Sequence, residues 1–141
     1  MQELASEALL RGADRVVVIG GLRGNPSIMR VYEVKERHLV NIVTFIIKGL
    51  ALSRELRRPL PDEHPRGIIV EVDDDPLSEE FADAFVKAFR ARVWERPSDS
   101  DILAIFSAEG EGVVRLEFKF RGQMVGPRLR LAKPRRMVKT P

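Results

Sequence analysis

The chain has 141 residues, of which 44% are hydrophobic and 32% charged, and its formal net charge is +3. This composition is typical of one globular, soluble domain and excludes a disordered chain. The sequence has no cysteine, which excludes disulfides and thiolate chemistry. No apolar run approaches the roughly 18 residues of a membrane helix. We therefore expect a cytoplasmic protein without membrane association.

The first half of the chain is predicted to contain one helix followed by three strands. Apolar residues recur at helical spacing in residues 2–11. The β-branched run from Arg15 to Ile19 predicts a buried strand, and residues 27–34 and 39–49 predict two more. The polar segment "KERH" between the last two predicts a tight turn and hence an antiparallel hairpin.

The second half begins with a polar connector over residues 52–66, in which a short helical turn is predicted around residues 53–57, and continues with the strand "GIIVEV". The segment from Asp75 to Trp94 is the clearest helix, because Asp75 is a good N-cap and Pro76 occupies the first helical position. Phenylalanines recur every four residues along it, which predicts a stripe of core packing and not a cofactor site.

Three further strands are predicted at residues 102–107, 113–120 and 128–132, separated by the turn segments "AEGEG" and "RGQMVGP". Helix, strand, hairpin, strand, helix and a meander of strands together predict an α+β or mixed α/β fold. We expect a largely mixed or antiparallel sheet with packed helices. No linker is long enough to separate two domains, so residues 1–141 are predicted to form a single domain.

The segment "VVVIGGLRGNPSIMRVYEV" has the glycines of a nucleotide-binding loop but lacks its other features. A phosphate-binding loop needs Gly-Lys-Ser/Thr, or a dinucleotide fingerprint, leading into the N-terminus of a helix. Here the glycines lead through Pro26 into a strand pattern. We expect them to form a strand-to-strand turn.

The sequence does not support an enzyme, and we predict no catalytic residue, metal or cofactor. His38 and His64 have no second ligand at metal-binding spacing and are expected at the surface. The run Asp73–Asp75 could bind a divalent ion, but such a run more often caps a helix and complements its dipole.

Basic residues are concentrated near the C-terminus, where residues 112–141 contain nine Lys/Arg against one Asp/Glu, whereas residues 62–111 contain five against fourteen. Along residues 114–121 charged and apolar side chains alternate, so Arg115, Lys119 and Arg121 fall on one face of a strand with a single acid, Glu117. Such a face is typical of phosphate-backbone binding, although a solvated outer sheet face is the alternative. Most basic residues are arginine, which also fits a thermophile.

Two segments resemble Brix-domain proteins, particularly the archaeal Imp-four-like ribosome biogenesis proteins. "GADRVVVIGGLRGNPSIMRVYEV" is similar to the Gly-Asn-Pro segment of that family, and "GPRLRLAKPRR" to its Gly-Pro-Arg signature. The resemblance implies a fold of two similar halves, each like the anticodon-binding domain of class II aminoacyl-tRNA synthetases. It also implies that the domain lacks its first strand and helix here and is N-terminally incomplete.

By this resemblance the protein is an RNA-binding factor that acts in pre-rRNA processing and ribosomal subunit assembly, cytoplasmic in an archaeon and nucleolar in a eukaryote. Its partners are ribosomal RNA or pre-rRNA and assembly proteins; no oligomeric state follows. Another RNA module, like a tRNA anticodon-binding domain, and a scaffold for an acidic protein partner are the alternatives. The predicted RNA-binding residues are Arg115, Lys119, Arg121, Arg128, Arg130, Lys133, Arg135, Arg136 and Arg23.

Overall fold

The structure, a computed structural model, describes residues 14–22, 25–52, 55–58, 65–93, 96 and 98–134. The helix predicted over residues 2–11 lies outside these ranges. The elements are β1 (Arg15–Leu22), β2 (Asn25–Lys35), β3 (His38–Ala51), β4 (Gly67–Val72), α1 (Pro76–Phe89), β5 (Arg92–Val93), β6 (Asp101–Gly110), β7 (Val113–Phe120) and β8 (Gln123–Ala132).

The described part of the chain is mainly β-sheet, with eight strands and one helix. The predicted α+β or mixed α/β fold with packed helices is therefore wrong. Three local differences account for much of the error. Strand β3 is longer than predicted, α1 ends at Phe89 instead of Trp94, and the segment from Gln123 to Pro127 is strand and not loop.

The chain divides into two compact units, one of residues 1–46 and 133–141 and one of residues 47–132. In the first unit, β1, β2 and the first part of β3 pair antiparallel in sequence order. In the second, the order is the end of β3, then β8, β7, β6, β4 and β5. The two units differ in the number and order of their described strands, and α1 lies in the second unit. The prediction of two similar halves like anticodon-binding domains is therefore also wrong.

The first unit contains the glycine-rich segment and the predicted hairpin. Leu22 pairs with Asn25, so this segment joins two antiparallel strands and leads into no helix. The predicted turn "KERH" is confirmed, since Lys35 pairs with His38 and the two residues between them have positive φ. The predicted burial of residues 15–19 is wrong in part: Val17 and Ile19 are 43% and 57% exposed.

The second unit places α1 against one face of its sheet. As predicted, Asp75 caps the helix, with its side chain accepting hydrogen bonds from the backbone N–H groups of Leu77 and Ser78, and Pro76 begins it. On the stripe, Phe81 and Phe85 are buried, and the Phe85 ring meets the Phe106 ring of β6 edge-on, 5.3 Å between centroids. Arg90 ends the helix in the left-handed conformation.

Strand β4 pairs parallel with β5 and β6, whereas β6, β7 and β8 pair antiparallel. Because side chains alternate across a strand, Phe106 and its partner Leu116 face α1, and their neighbours face the other way. That second face carries Glu117 and Lys119, and it is the candidate site. Within the described ranges, no helix has the length and apolar character needed to cross a membrane.

Candidate nucleic-acid interface

The predicted basic face lies on β7 and β8, on the side of the sheet away from α1. Arg115 of β7 is directly opposite Arg130 of β8, and Lys119 is opposite Met124. A two-residue turn with positive φ at Arg121 and Gly122 joins the two strands. The sheet register therefore brings Arg115 and Arg130 together, as the alternation of the sequence predicts; below, Arg115, Lys119, Arg121, Arg128 and Arg130 are called the basic strip.

A glutamate from β6 bridges the two opposed arginines. Arg115 Nε donates to Glu109 Oε2 and Arg130 Nε donates to Glu109 Oε1, both at 2.7 Å. The β6–β7 register shifts between Ala108 and Gly110, so Glu109 has no residue opposite it, as in a β-bulge. Hydrogen bonds from Arg115 and Arg130 lower the pKa of Glu109, and the same carboxylate raises the pKa of Arg115.

Glu117 extends this network towards Arg58. Arg58 Nη2 donates to Glu117 Oε2 at 2.7 Å, and both side chains are only 16% exposed. Glu117 Oε1 also lies 3.8 Å from Arg115 Nη1. Two carboxylates, Glu109 and Glu117, thus neutralise part of the charge that the sequence assigns to this face. Sequence analysis missed Glu109, because only the strand register shows that it faces the arginines.

Lys119 and Arg128 are less engaged with acidic groups than Arg115 and Arg130. The ion pairs of the described residues involve neither Lys119 nor Arg128. Arg121 Nε donates to the carbonyl oxygen of Asp99 at 3.2 Å, and its guanidinium carbon lies 5.1 Å from the centre of the Phe120 ring. Lys133 follows β8 and is exposed. Arg23, Arg135 and Arg136 lie outside the described residues.

The aspartate run before α1 has a structural role. Asp75 caps the helix, and Asp73 Oδ2 accepts a hydrogen bond from the Ala108 N–H at 2.8 Å, which ties the helix start to β6. Partial desolvation raises the pKa of Asp73, but its hydrogen bonds, led by that from Ala108, outweigh this and leave the pKa below 3.8. Among the residues that the structure describes, no group of His, Asp or Glu is arranged to hold a metal ion, and His38 is exposed.

A protein of Aeropyrum pernix described as a "probable Brix domain-containing ribosomal biogenesis protein" is 46% identical over 141 residues, which cover 99% of this chain and 78% of the relative. The chain belongs to the Brix-domain family of ribosomal biogenesis proteins. The predicted family is thus confirmed. No protein-family model matches the sequence.

Two solved structures are similar to this chain. The crystal structure of a probable ribosomal biogenesis protein from Aeropyrum pernix has a TM-score of 0.88 at 45% identity, and the match covers 98% of this chain and 78% of that one. Mil, an archaeal Imp4-like protein, has a TM-score of 0.61 at 15% identity, with coverage of 91% and 74%. The second likeness shows a shared fold alone. Archaeal relatives support the predicted archaeal origin.

The two segments that carry the Brix resemblance lie in strands. Asn25 and Pro26 begin β2, and Asn25 pairs with Leu22 at the end of β1. Gly126 and Pro127 lie in β8, where the register with β7 shifts, and Gly126 has a φ of +70°. A residue with a β-carbon is strained at that φ, which gives the glycine of the Gly-Pro-Arg signature a structural reason.

Proposed function

We propose that this Brix-family protein is an RNA-binding ribosome assembly factor, acting in the cytoplasm on ribosomal or pre-ribosomal RNA through the basic strip. The observation that carries the proposal is the register of β7 and β8, which sets Arg115 and Arg130 opposite each other on the face away from α1. Its named relatives are described as probable ribosomal biogenesis proteins, and we assign no catalytic step.

Electrostatics supports RNA as the ligand of this face. A strip that neutralises phosphates releases counterions, and binding then weakens as salt rises. Lys119 and Arg128 are the residues best placed to do so, because no ion pair of the described residues occupies them. The guanidinium groups of Arg115 and Arg130 are held by Glu109 through Nε, which leaves both side chains more than 40% exposed.

The strip is suited to backbone contacts and not to reading single-stranded bases. Base stacking in sequence-specific RNA modules uses exposed aromatic rings. On β7, Phe120 is buried and Phe118 is half-buried, so the polar face offers charge but few rings. We therefore expect affinity that depends strongly on salt and weakly on RNA sequence.

The test is fluorescence anisotropy with one labelled RNA hairpin and the charge-reversed variant Lys119→Glu/Arg128→Glu. We expect at least a tenfold loss of affinity, because each phosphate contact contributes strongly at moderate salt. Arg37→Glu/Lys87→Glu changes the net charge equally at exposed positions that are not part of the strip and serves as the matched control. Circular dichroism checks that each variant is folded.

Three outcomes would contradict the proposal. One is RNA affinity that does not change between about 50 and 200 mM salt. Another is an equal loss of RNA affinity in the strip variant and the control, which would mean that net charge alone accounts for the loss. Binding of a polyglutamate peptide, lost in the strip variant and unaccompanied by RNA binding, would instead assign the strip to an acidic protein partner.

A further inference from the structure

A second cationic feature lies at the start of the parallel strands of the second unit. It is a concave pocket of about 520 Å³, and among the described residues its lining has four arginines and a single carboxylate, Asp101. We call it the arginine pocket, after Arg66, Arg90, Arg92 and Arg96. None of these four was among the predicted RNA-binding residues.

The fold collects these arginines from separate segments. Arg66 immediately precedes β4, Arg90 ends α1 and Arg92 begins β5. Because β4, β5 and β6 run parallel, the residues before each strand meet at one edge of the sheet. Arg66 is fixed there by its N–H, which donates to the Ser100 carbonyl at 2.7 Å.

The basic residues of residues 62–111 are concentrated at this pocket. Residues 62–111 contain fourteen acidic and only five basic residues. Four of those five line the arginine pocket; the fifth, Lys87, lies in the last turn of α1. Among the described residues, a segment that is strongly acidic in sequence therefore presents four arginines and one carboxylate at this pocket.

The one carboxylate of the pocket is occupied by structural bonds. Asp101 Oδ1 accepts from Arg92 Nη2 at 2.7 Å, and Oδ2 accepts from the Ser98 N–H at 3.0 Å and hydroxyl at 3.1 Å. These bonds, first that from the Ser98 N–H, lower the pKa of Asp101. Arg92 still has 47% of its side chain exposed. Asp101 therefore positions Arg92 without closing the pocket.

The pocket adjoins the basic strip. A neighbouring depression of about 300 Å³ shares Ser98 and Asp101 with it and is also lined by Lys119 and Arg121. The hydrogen bond from Arg121 to the Asp99 carbonyl fixes the strip against the same loop. A polyanion bound along the strip can thus continue into the arginine pocket.

We propose that the arginine pocket binds a backbone phosphate of the RNA, as a contact separate from those of the strip. This inference rests on the proposed function. Planar guanidinium groups match phosphate geometry with paired N–H donors, whereas lysines act as point charges. Four arginines facing one already bonded carboxylate give the local charge that a phosphate needs, and continuity with the strip favours a chain of phosphates over an isolated ion.

The experiment compares RNA affinity of the unmutated protein with that of Arg66→Gln/Arg96→Gln. Both changed residues are exposed, and the variant leaves the Arg92–Asp101 pair in place. We expect affinity to fall about tenfold and the slope of log affinity against log salt to shrink by about 0.7 for each phosphate that the variant no longer neutralises. Arg37→Gln/Lys87→Gln is the matched control and should bind as the unmutated protein does.

The outcomes separate the two proposals. If the unmutated protein shows no salt-dependent RNA binding, the proposed function itself fails. If the strip variant loses affinity while the pocket variant equals its control, only the inference about the pocket is overturned. Titration with inorganic phosphate distinguishes the source: phosphate binding that needs Arg66 and Arg96, with unchanged RNA affinity, assigns the pocket to a free anion and also overturns it.

Discussion

The basic strip and the arginine pocket carry the same sign of charge but are built differently. In the strip, two opposed arginines share one glutamate, and a second glutamate is bonded to Arg58. Among the described residues, the pocket has four arginines around one aspartate whose oxygens are already bonded. A count of basic residues along the sequence favours the strip, whereas in the described part of the fold the strip has five basic against two acidic side chains and the pocket four against one, which is the same excess. Charge in sequence and charge available to a ligand are therefore different quantities.

The largest loss of stability is expected from a substitution in the core of the sheet that carries both the basic strip and the arginine pocket. Phe106 is fully buried in β6 and packs against Phe85 of α1. Phe106→Ala should lower the free energy of unfolding by about 3–5 kcal/mol, because it deletes a core ring and leaves a cavity. Urea denaturation measures this. A cost below about 1 kcal/mol would contradict the packing of α1 on this sheet.

Gly67→Ala should separate the pocket from the strip. A β-carbon at this position would lie 2.7 Å from Asp101 Oδ1 and 2.8 Å from Arg92 Nη2. Asp101 is held by Ser98, so the end of Arg92 must move and its ion pair breaks. We expect a loss of about 1–2 kcal/mol in denaturation and weaker RNA binding, with the contribution of the strip unchanged. Gly20→Ala, in β1, has open space around it and no positive φ, and it serves as the control for loss of a strand glycine.

Glu109→Gln should raise the positive charge of the strip, because it removes the carboxylate that bridges Arg115 and Arg130. The Arg115 and Arg130 pairs are largely exposed, so each contributes at most about 1 kcal/mol to stability. RNA affinity should rise about threefold to tenfold, because one negative charge beside the phosphates is removed. Anisotropy on the same RNA hairpin checks this; an affinity that falls would mean that Glu109 positions the arginines for binding and does not compete with phosphate.

Acid titration should show how the hydrogen bonds to Asp101 and Glu109 contribute to the stability of the fold. The pKa values of Asp101 and Glu109 are lowered in the folded protein, Asp101 by Ser98 and Arg92 and Glu109 by its two arginines. Their contributions to stability are present above the ordinary pKa values near 4 and are lost as the pH falls through the folded-state values. Asp101→Asn should therefore flatten the decline of unfolding free energy below about pH 4. An unchanged slope would show that Asp101 is not bonded as described.

Local signals in the sequence predicted local structure well. Asp75 and Pro76 place the start of α1 correctly, since a cap acts within one turn of the chain. The end of the helix was wrong, because Arg90 adopts a left-handed conformation and Arg92–Val93 pair with β4. Gly126 and Pro127 were interpreted as loop breakers, yet a register shift accommodates them within β8.

The candidate site could be predicted only in part, because sequence signals act locally and part of the site depends on contacts between distant segments. Alternation along β7 is a local pattern and predicted that Arg115 and Lys119 share a face. Glu109 reaches that face from another strand, and the arginine pocket joins Arg66, which precedes β4, to three arginines of residues 90–96. Neither is complete in one stretch of sequence, because strand pairing and parallel order bring these residues together.

The most direct test measures the salt dependence of RNA affinity for four proteins: unmutated, Lys119→Glu/Arg128→Glu, Arg66→Gln/Arg96→Gln, and the combination. The account predicts a slope that shrinks in each variant and shrinks by the sum of both changes in the combination, because separate phosphate contacts release separate counterions. A slope that is the same in all four proteins would contradict it.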